Sequence, residues 1–438
     1  MASTVAWGRS LRALRSRNYR LFFAGQSVSL IGTWMTRLAM SWIVYQLTDS
    51  AFLLGLTSFV GQIPAFFVAP IAGVWLDRWD RHRVLVITQV LAMIQSLALA
   101  ALAFTHYINL WWVIGLALFQ GMINAFDMPA RQAFVIEMIE DRGDLGNAIA
   151  LNSSMVNGAK LVGPAIAGML VATAGAGVCF LLDGISYIAV IYSLAAMRVA
   201  RGQPRVAQKS ALQELAEGWK YVVESPAIRS ILLLLALVSV IGMPYTVLMP
   251  LVAAEVLHGG AHTLGFLMAM SGVGALASAI GLALRRTVIG LGKRIAISVA
   301  VFGGGLVFLG LSRSLTISLL LMTITGFGMM QQMAASNTIL QTIAADDKRG
   351  RVMSFYTLAI LGMNPIGSLL AGGVAGRIGV PATMIGAGAI CLAGAAWFYW
   401  KLPEIRRVIR PIYRELGILP EIAEGIQSAT ILQTPPEN

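Results

Sequence analysis

Four ionisable side chains interrupt long apolar runs in this 438-residue chain: Arg37, Asp127, Lys160 and Asp183. A charge in such surroundings is costly, so it faces an internal path, takes a partner and marks where ions or polar molecules pass. A carboxylate there can take up and release a proton, and an arginine or lysine can attract an anion. Asp127 is the first candidate for a proton carrier, with Asp183, Lys160 and Arg37 as further proton-coupling candidates. A structural reading stands beside each. Asp127 and Arg131 are spaced i,i+4 and would form a static pair, and Lys160 would pair with Asp183 or Asp127. In the second half of the chain the corresponding side chains are uncharged: Gln331, Gln332, Asn337 and Asn364 are candidates for the wall of a substrate cavity, or for ordinary hydrogen bonds between helices.

Other chemistry is poorly served. The sequence contains no HExxH and no GxxxxGK[ST], so neither a zinc hydrolase nor direct ATP hydrolysis is expected. His258 and His262 are separated by Gly-Gly-Ala, a loop signal that works against a shared helical face. Cys179 and Cys391 are the only cysteines and lie in separate apolar runs, where they are expected to pack. No catalytic residue, metal site or cofactor is expected.

The elements that must position these residues follow from composition. Hydrophobic residues make up 57% of the chain and charged residues 12%, against roughly 25% charged in soluble domains. This is the composition of a membrane protein. Runs of about 20 apolar residues are needed to cross a bilayer as helices, and twelve are found, near 19–47, 51–76, 84–105, 109–139, 145–173, 177–197, 228–252, 263–284, 295–312, 315–343, 352–375 and 380–402. At 1.5 Å per residue, Lys160 falls near mid-depth, with Arg37 and Asp127 within roughly 5 Å of that level and Asp183 nearer the far side.

The formal charge of +12 would suggest nucleic acid in a soluble protein, but here the basic residues sit in short gaps between spans. Of 32 Lys and Arg, only Arg313 and Arg377 fall in gaps on the side away from the N terminus. The positive-inside rule then places both termini in the cytoplasm, and the first apolar run is a retained span rather than a signal peptide. The expected organisation is a cytoplasmic arm (1–18), a six-helix bundle (19–197), a cytoplasmic linker (198–227), a second bundle (228–402) and a partly disordered tail (403–438). Within the linker, Leu212, Leu215, Trp219 and Val222 share a helical face behind a Ser210–Gln213 capping box, which predicts an amphipathic helix on the inner membrane surface.

The halves look related. A shift of 204 positions places Gly146 on Gly350, Gly158 on Gly362, Gly163 on Gly367, Ala167 on Ala371 and Gly168 on Gly372. The same shift sets Asp127 opposite Gln331 and Lys160 opposite Asn364.

Between the second and third spans stands GVWLDRWDRHRVL. With twelve spans in two halves, this stretch resembles the signature of the major facilitator superfamily, with Gly73, Asp77, Arg78, Arg81 and Arg83 at the matching positions, Asp80 where glycine is usual and His82 where a base is common. GAKLVGPAIAG in the fifth span is similar to the antiporter motif of the superfamily's exporters, through Gly158, Gly163, Pro164 and Gly168, with Ala167 in place of one glycine. AFDMPARQAF and DDKRGRV resemble the branch with enterobactin-type siderophore exporters and macrolide-efflux proteins. The resemblance covers about residues 10–402. It implies an all-α membrane protein of twelve transmembrane helices in two pseudo-symmetric six-helix bundles, and a monomeric secondary exporter of the bacterial inner membrane. That exporter would exchange protons for a small amphipathic molecule such as a siderophore or drug. An importer or facilitator, a transport-dead sensor and a membrane-embedded enzyme are the competing readings. Physically, an acid at one helix end with arginines just beyond it can hold neighbouring helix ends together by contacts that break as conformation changes; Asp80 is either a second acid of that latch or a compensation for the arginines. Asp77→Asn is expected to leave membrane insertion intact while slowing exchange between inward- and outward-open states. Wild-type flux in reconstituted vesicles would contradict it.

Overall fold

A bilayer offers the backbone no hydrogen-bond partners, so each spanning segment must satisfy its own N–H and C=O groups, and these sequences do so as helices. The computed structural model describes residues 11–76, 79–198, 211–285 and 287–415. Six helices come first: α1 (Arg17–Thr48), α2 (Ala51–Leu76), α3 (Arg81–Phe104), α4 (Leu110–Phe134, prolonged by a tight turn to Met138), α5 (Leu145–Ala174) and α6 (Ala176–Ala195). A short helix, α7 (Ala211–Glu224), precedes six more: α8 (Pro226–Val256), α9 (Ala261–Ala283), α10 (Leu291–Leu311), α11 (Leu315–Ile343), α12 (Arg349–Ile378) and α13 (Val380–Glu415).

Eleven of these are long and apolar enough to cross a membrane. The twelfth span is α1, which is less apolar because it carries Arg20, Gln26 and Arg37, but is 32 residues long and packs along α5 and α6. Short connections make successive spans antiparallel, so the start of α1 and the end of α13 lie at one face of the bundle, here called proximal; the other face is distal.

The halves meet along two helix pairs, α2 with α12 and α5 with α9. A side-chain carbon built on Gly168 would lie 2.7 Å from the Cα of Gly265 and 2.8 Å from the carbonyl oxygen of Ala261. One built on Gly372 would lie 3.1 Å from the Cα of Gly55 and 2.5 Å from the oxygen of Ala51. Only glycine fits at either place, and small residues are what let membrane helices approach so closely. Gly168 and Gly372 are partners under the 204-residue shift, so the duplication seen in the sequence repeats the same crossing on both sides of the molecule. The next pair behaves alike: Gly163 seats against α1 at Ile31 and Trp34, and Gly367 against α8 at Val240 and Pro244.

From the crossings, contact continues inward to Leu161 against Gly272 and to Phe66 against Gly362. Eleven residues from Gly55 to Phe66 correspond to about 16 Å of helix. These cross-half approaches occupy the distal portion of the bundle down to about mid-depth. Toward the proximal end none of the described glycines makes a close approach to the other half, and Ser153 and Ser154 of α5 are exposed. The bundle is closed distally and opens proximally.

Two local features depart from the sequence expectation. α8 and α12 each contain widened π turns, at Val238–Gly242, Val252–Val256 and Leu358–Gly362, of the kind that recur at functional sites. Pro244 and Pro365 follow two of them, and the widened turn absorbs the missing donor. The last helix also continues past the expected end at Leu402, through Pro403 and Pro411 to Glu415. Ile405, Ile409 and Tyr413 repeat every four residues and are buried at 2%, 7% and 7% exposure, so packing on one face outweighs the lost hydrogen bonds. The expected partly disordered tail (403–438) is described only as far as Glu415, and its remainder lies outside the described residues.

The linker helix α7 forms as expected, with Val222 buried and Trp219 largely exposed; Ser210 and the side chains of Leu212, Gln213 and Leu215 lie outside the description. It is fastened to the second half. Glu217 meets Arg351 at 2.8 Å, the Ala345 N–H donates to the Tyr221 hydroxyl at 3.3 Å, and Trp219 leans on Phe355.

Gly168→Leu or Gly372→Leu is expected to wedge one crossing apart. A cysteine placed at Ser58 should then react several-fold faster with a membrane-impermeant thiol reagent added from the distal side. Unchanged labelling in both variants would show that the crossings are not the seal.

Candidate transport site

The glycine that seats α5 on α1 also builds the most charged part of the interior. With no side chain at Gly163, α5 approaches Ile31 and the Cβ of Trp34. One turn back on α5, the Lys160 ammonium stands 5.7 Å from the centre of the Trp34 ring. One turn along α1, the Arg37 guanidinium stands 4.8 Å from the same ring. Both distances fall in the range where a cation is held by an aromatic face. Pro164 has no N–H to offer the Lys160 carbonyl four residues earlier, so α5 is loosened where the lysine projects. Arg37 lies deep in the protein, within electrostatic reach of Asp183 and Tyr187, yet is exposed to solvent; Lys160 is similarly deep and partly exposed. Depth together with access means that these side chains line an internal cavity.

Asp183 sits behind this pair. Its Oδ2 accepts from the Thr36 hydroxyl at 2.8 Å and the Ser96 hydroxyl at 2.6 Å, while Oδ1 lies against Gly32 and has no protein donor. Contact with Gly32 and Thr36 puts the carboxylate at the level of the Trp34 turn, deeper than its place in the sixth span suggested. At 2% exposure it is cut off from the cavity. Among the described residues, no carboxylate forms an ion pair with either Arg37 or Lys160, so the alternatives that paired Lys160 with Asp183 or Asp127 are not what the structure shows.

Asp127 is elsewhere, between α4 and α3 toward the proximal end. It pairs with Arg131 and accepts from Thr88 at 3.0 Å and Gln89 at 2.7 Å, at 4% exposure. Three donors on one buried carboxylate make it the fastening of α3 to α4.

The proximal turn between α2 and α3 carries the motif charges. Gly73 lies in α2; Asp77 and Arg78 lie outside the described residues. Asp80 is the N-cap of α3, accepting from the backbone N–H of His82 at 3.0 Å and of Arg83 at 3.3 Å. That explains an acid where glycine is usual, since an N-cap aspartate satisfies donors that the helix leaves free. Its contact with Arg83, 3.6 Å long and exposed, adds little. Arg81 reaches Glu137 at the end of α4 at 2.8 Å, and the His82 ring nitrogen lies 2.8 Å from the Leu194 carbonyl at the end of α6. The stretch therefore ties the start of α3 to two other helix ends. Glu137 was not singled out from sequence, although an acid near a helix end opposite an arginine turn is a signal that would have found it.

The neutral candidates of the second half divide into two groups. Gln331 accepts from Ser278 of α9 at 2.9 Å, and Gln332 is buried at 1% exposure; both lie between helices rather than on the cavity wall of this conformation. Asn337 is partly exposed and accepts from Gln341 at 2.5 Å. Asn364 donates to Gln62 of α2 at 3.0 Å, and Ser58 donates to Ser368 at 3.3 Å. This strap joins the halves just inside the Gly55–Gly372 crossing. Gln62 and Ser58 carried no sequence signal, being single polar residues in an apolar run. Of the antiporter-like residues, Gly163 and Gly168 make close contacts, Pro164 is buried, and Gly158 faces open space.

Known proteins place this arrangement. Solved structures similar to the chain include a bacterial homologue of the human lysosomal transporter Spinster in an inward-facing, unoccupied conformation, with a TM-score of 0.68 at 15% identity over 91% of this chain and 98% of that one. A POT family transporter in complex with 5-aminolevulinic acid gives 0.70 at 13% identity over 89% and 97%. At such identities the likeness is one of fold, and it is the major facilitator fold. Sequence relatives include the staphyloferrin A transporter of Staphylococcus aureus, 26% identical over 86% of this chain and 95% of the relative. The multidrug efflux pump Tap of Mycolicibacterium fortuitum is 25% identical over 87% and 95%, and macrolide efflux protein A of Streptococcus pyogenes is 24% identical over 55% and 61%. The model of one family, described as transmembrane secretion effector, matches residues 9–412. A match of that extent leaves little of the folded chain outside it: the protein belongs to the transmembrane secretion effector family of major facilitator transporters.

Proposed function

We propose that the chain exports a small amphipathic molecule, of the siderophore or drug class, across the bacterial inner membrane in exchange for protons. The observation that carries this reading is the cavity that opens at the proximal end and is lined by Arg37, Lys160 and Trp34, in a chain whose relatives are named for a staphyloferrin, for multiple drugs and for macrolides. The charge bias of the loops supports a cytoplasmic proximal face, so the described conformation would admit cargo from inside the cell. Both halves of the path come from one chain, and a monomer suffices.

Alternating access then requires the distal crossings to part as the proximal ends close. Asp127 is the carboxylate suited to couple this to a proton. In the proximally open state it is engaged with Arg131, Thr88 and Gln89, and that ion pair has to break before the carboxylate can take a proton. A proton arriving from outside would thus loosen α3 from α4, and its release inside would restore the pair. Cargo and proton need not touch, since both act on one conformational equilibrium. Asp183 serves in this reading as counter-charge to Arg37.

In vesicles, Asp127→Asn is expected to abolish export driven by a pH gradient while cargo exchange across the membrane continues without one. Asp183→Asn should retain gradient-driven export. Wild-type gradient-driven export by Asp127→Asn would remove the carrier role from this residue.

A further inference from the structure

We propose that the cargo carries an anionic group on a planar, conjugated frame, seated between Arg37 and Lys160 against the Trp34 ring; this deepens the export reading above and rests on its cavity. Arg37 and Lys160 come from different helices and are close enough to repel each other. Two like charges converging on one indole are unfavourable in a medium of low dielectric unless something negative completes them. Among the described residues Asp183 is the carboxylate within electrostatic reach of Arg37, and its Oδ2 accepts from the hydroxyls of Thr36 and Ser96. It balances one charge of the two, and one positive charge is left facing the cavity. At mid-depth the opposite half supplies no carboxylate among the described residues: the neutral Gln331, Gln332 and Asn364 lie there.

The geometry also selects for shape. Guanidinium offers a planar fork to a carboxylate or phenolate, and ammonium a compact point charge. The Trp34 indole beside them, partly exposed, offers an aromatic surface against which a conjugated ring can pack. A cation of the same size would meet two charges of its own sign, so the site discriminates by repulsion as well as by attraction. An anion here would also repel Asp183 when that group is ionised. Cargo and a proton on Asp183 would therefore favour one another, which is the wrong sign for exchange and agrees with exchange through Asp127 instead.

The test uses two dyes with one xanthene frame and opposite charge, fluorescein and rhodamine 123. Binding to the purified full-length protein is measured by fluorescence anisotropy without any gradient, and transport is measured separately in vesicles. Fluorescein is expected to bind saturably and more tightly than rhodamine 123. Arg37→Gln and Lys160→Gln should each weaken fluorescein at least several-fold and leave rhodamine 123 unchanged or tighter, and the charge-keeping Lys160→Arg should restore much of the loss. Trp34→Phe should weaken fluorescein less than Trp34→Leu. Preference for rhodamine 123, or fluorescein binding indifferent to both glutamine variants in protein that melts like wild type, would overturn the proposal. Selective fluorescein binding without vesicle flux would uphold the site and count against export, whereas flux of rhodamine 123 alone would uphold export and sink the anion site.

Discussion

Two backbone contacts, Gly168 with Gly265 and Gly55 with Gly372, decide how the rest of this molecule is arranged. Helices in lipid gain nothing from hiding apolar surface, so their association depends on close packing and on hydrogen bonds that lipid cannot replace. At each crossing the absence of a side chain brings two helices from different halves to backbone contact. The Gln62–Asn364 and Ser58–Ser368 bonds secure the α2–α12 pair just below its crossing. With the distal ends pinned in this way, the proximal ends are left to separate, and the charged groups of α1 and α5 come to face an accessible interior.

The pseudo-symmetry makes the departures from it informative. Gly163 and Gly367 perform the same seating in the two halves, yet the residue one turn before Gly163 is Lys160 and its counterpart is Asn364. The lysine reaches over an aromatic ring, while the asparagine binds across to the other half. Among the described residues the π turns are likewise confined to α8 and α12. One half concentrates charge and the other supplies amides and deformable helices. An anionic cargo would add a driving force of its own, because an interior-negative membrane assists its exit by about 2.3 kcal/mol per charge per 100 mV.

Much of this was legible in the sequence because membrane spans announce themselves by length and apolarity, and because a repeat of glycines survives as a fixed offset. The four intramembrane charges could be found for the same reason: little else in their surroundings is polar. Pairing was not legible. Lys160 and Arg37 converge on Trp34 only because Gly163 brings α5 onto α1, and nothing local to either charge reveals it. Asp80 was read as either a second acid of the latch or a compensation for the arginines, whereas it caps α3, an ordinary role for an aspartate just before a helix; the neighbouring arginines drew it into a charge argument. The tail was cut at Pro403 because the chain turns polar there, whereas the Leu402, Ile405, Ile409 and Tyr413 spacing on one buried face extends the helix beyond it.

Alternating access would make the distal crossings and the proximal opening two faces of one equilibrium. It is tested most directly by pulsed electron paramagnetic resonance distances in the full-length protein, with one spin-label pair at Thr173 and His262 at the distal ends of α5 and α9, and another at Ser153 and Ile280 toward their proximal ends. Across a pH titration in lipid nanodiscs, populations with a longer distal distance are expected to grow in step with populations with a shorter proximal one. Distal separation with no proximal approach, or the two distances lengthening together, would contradict it.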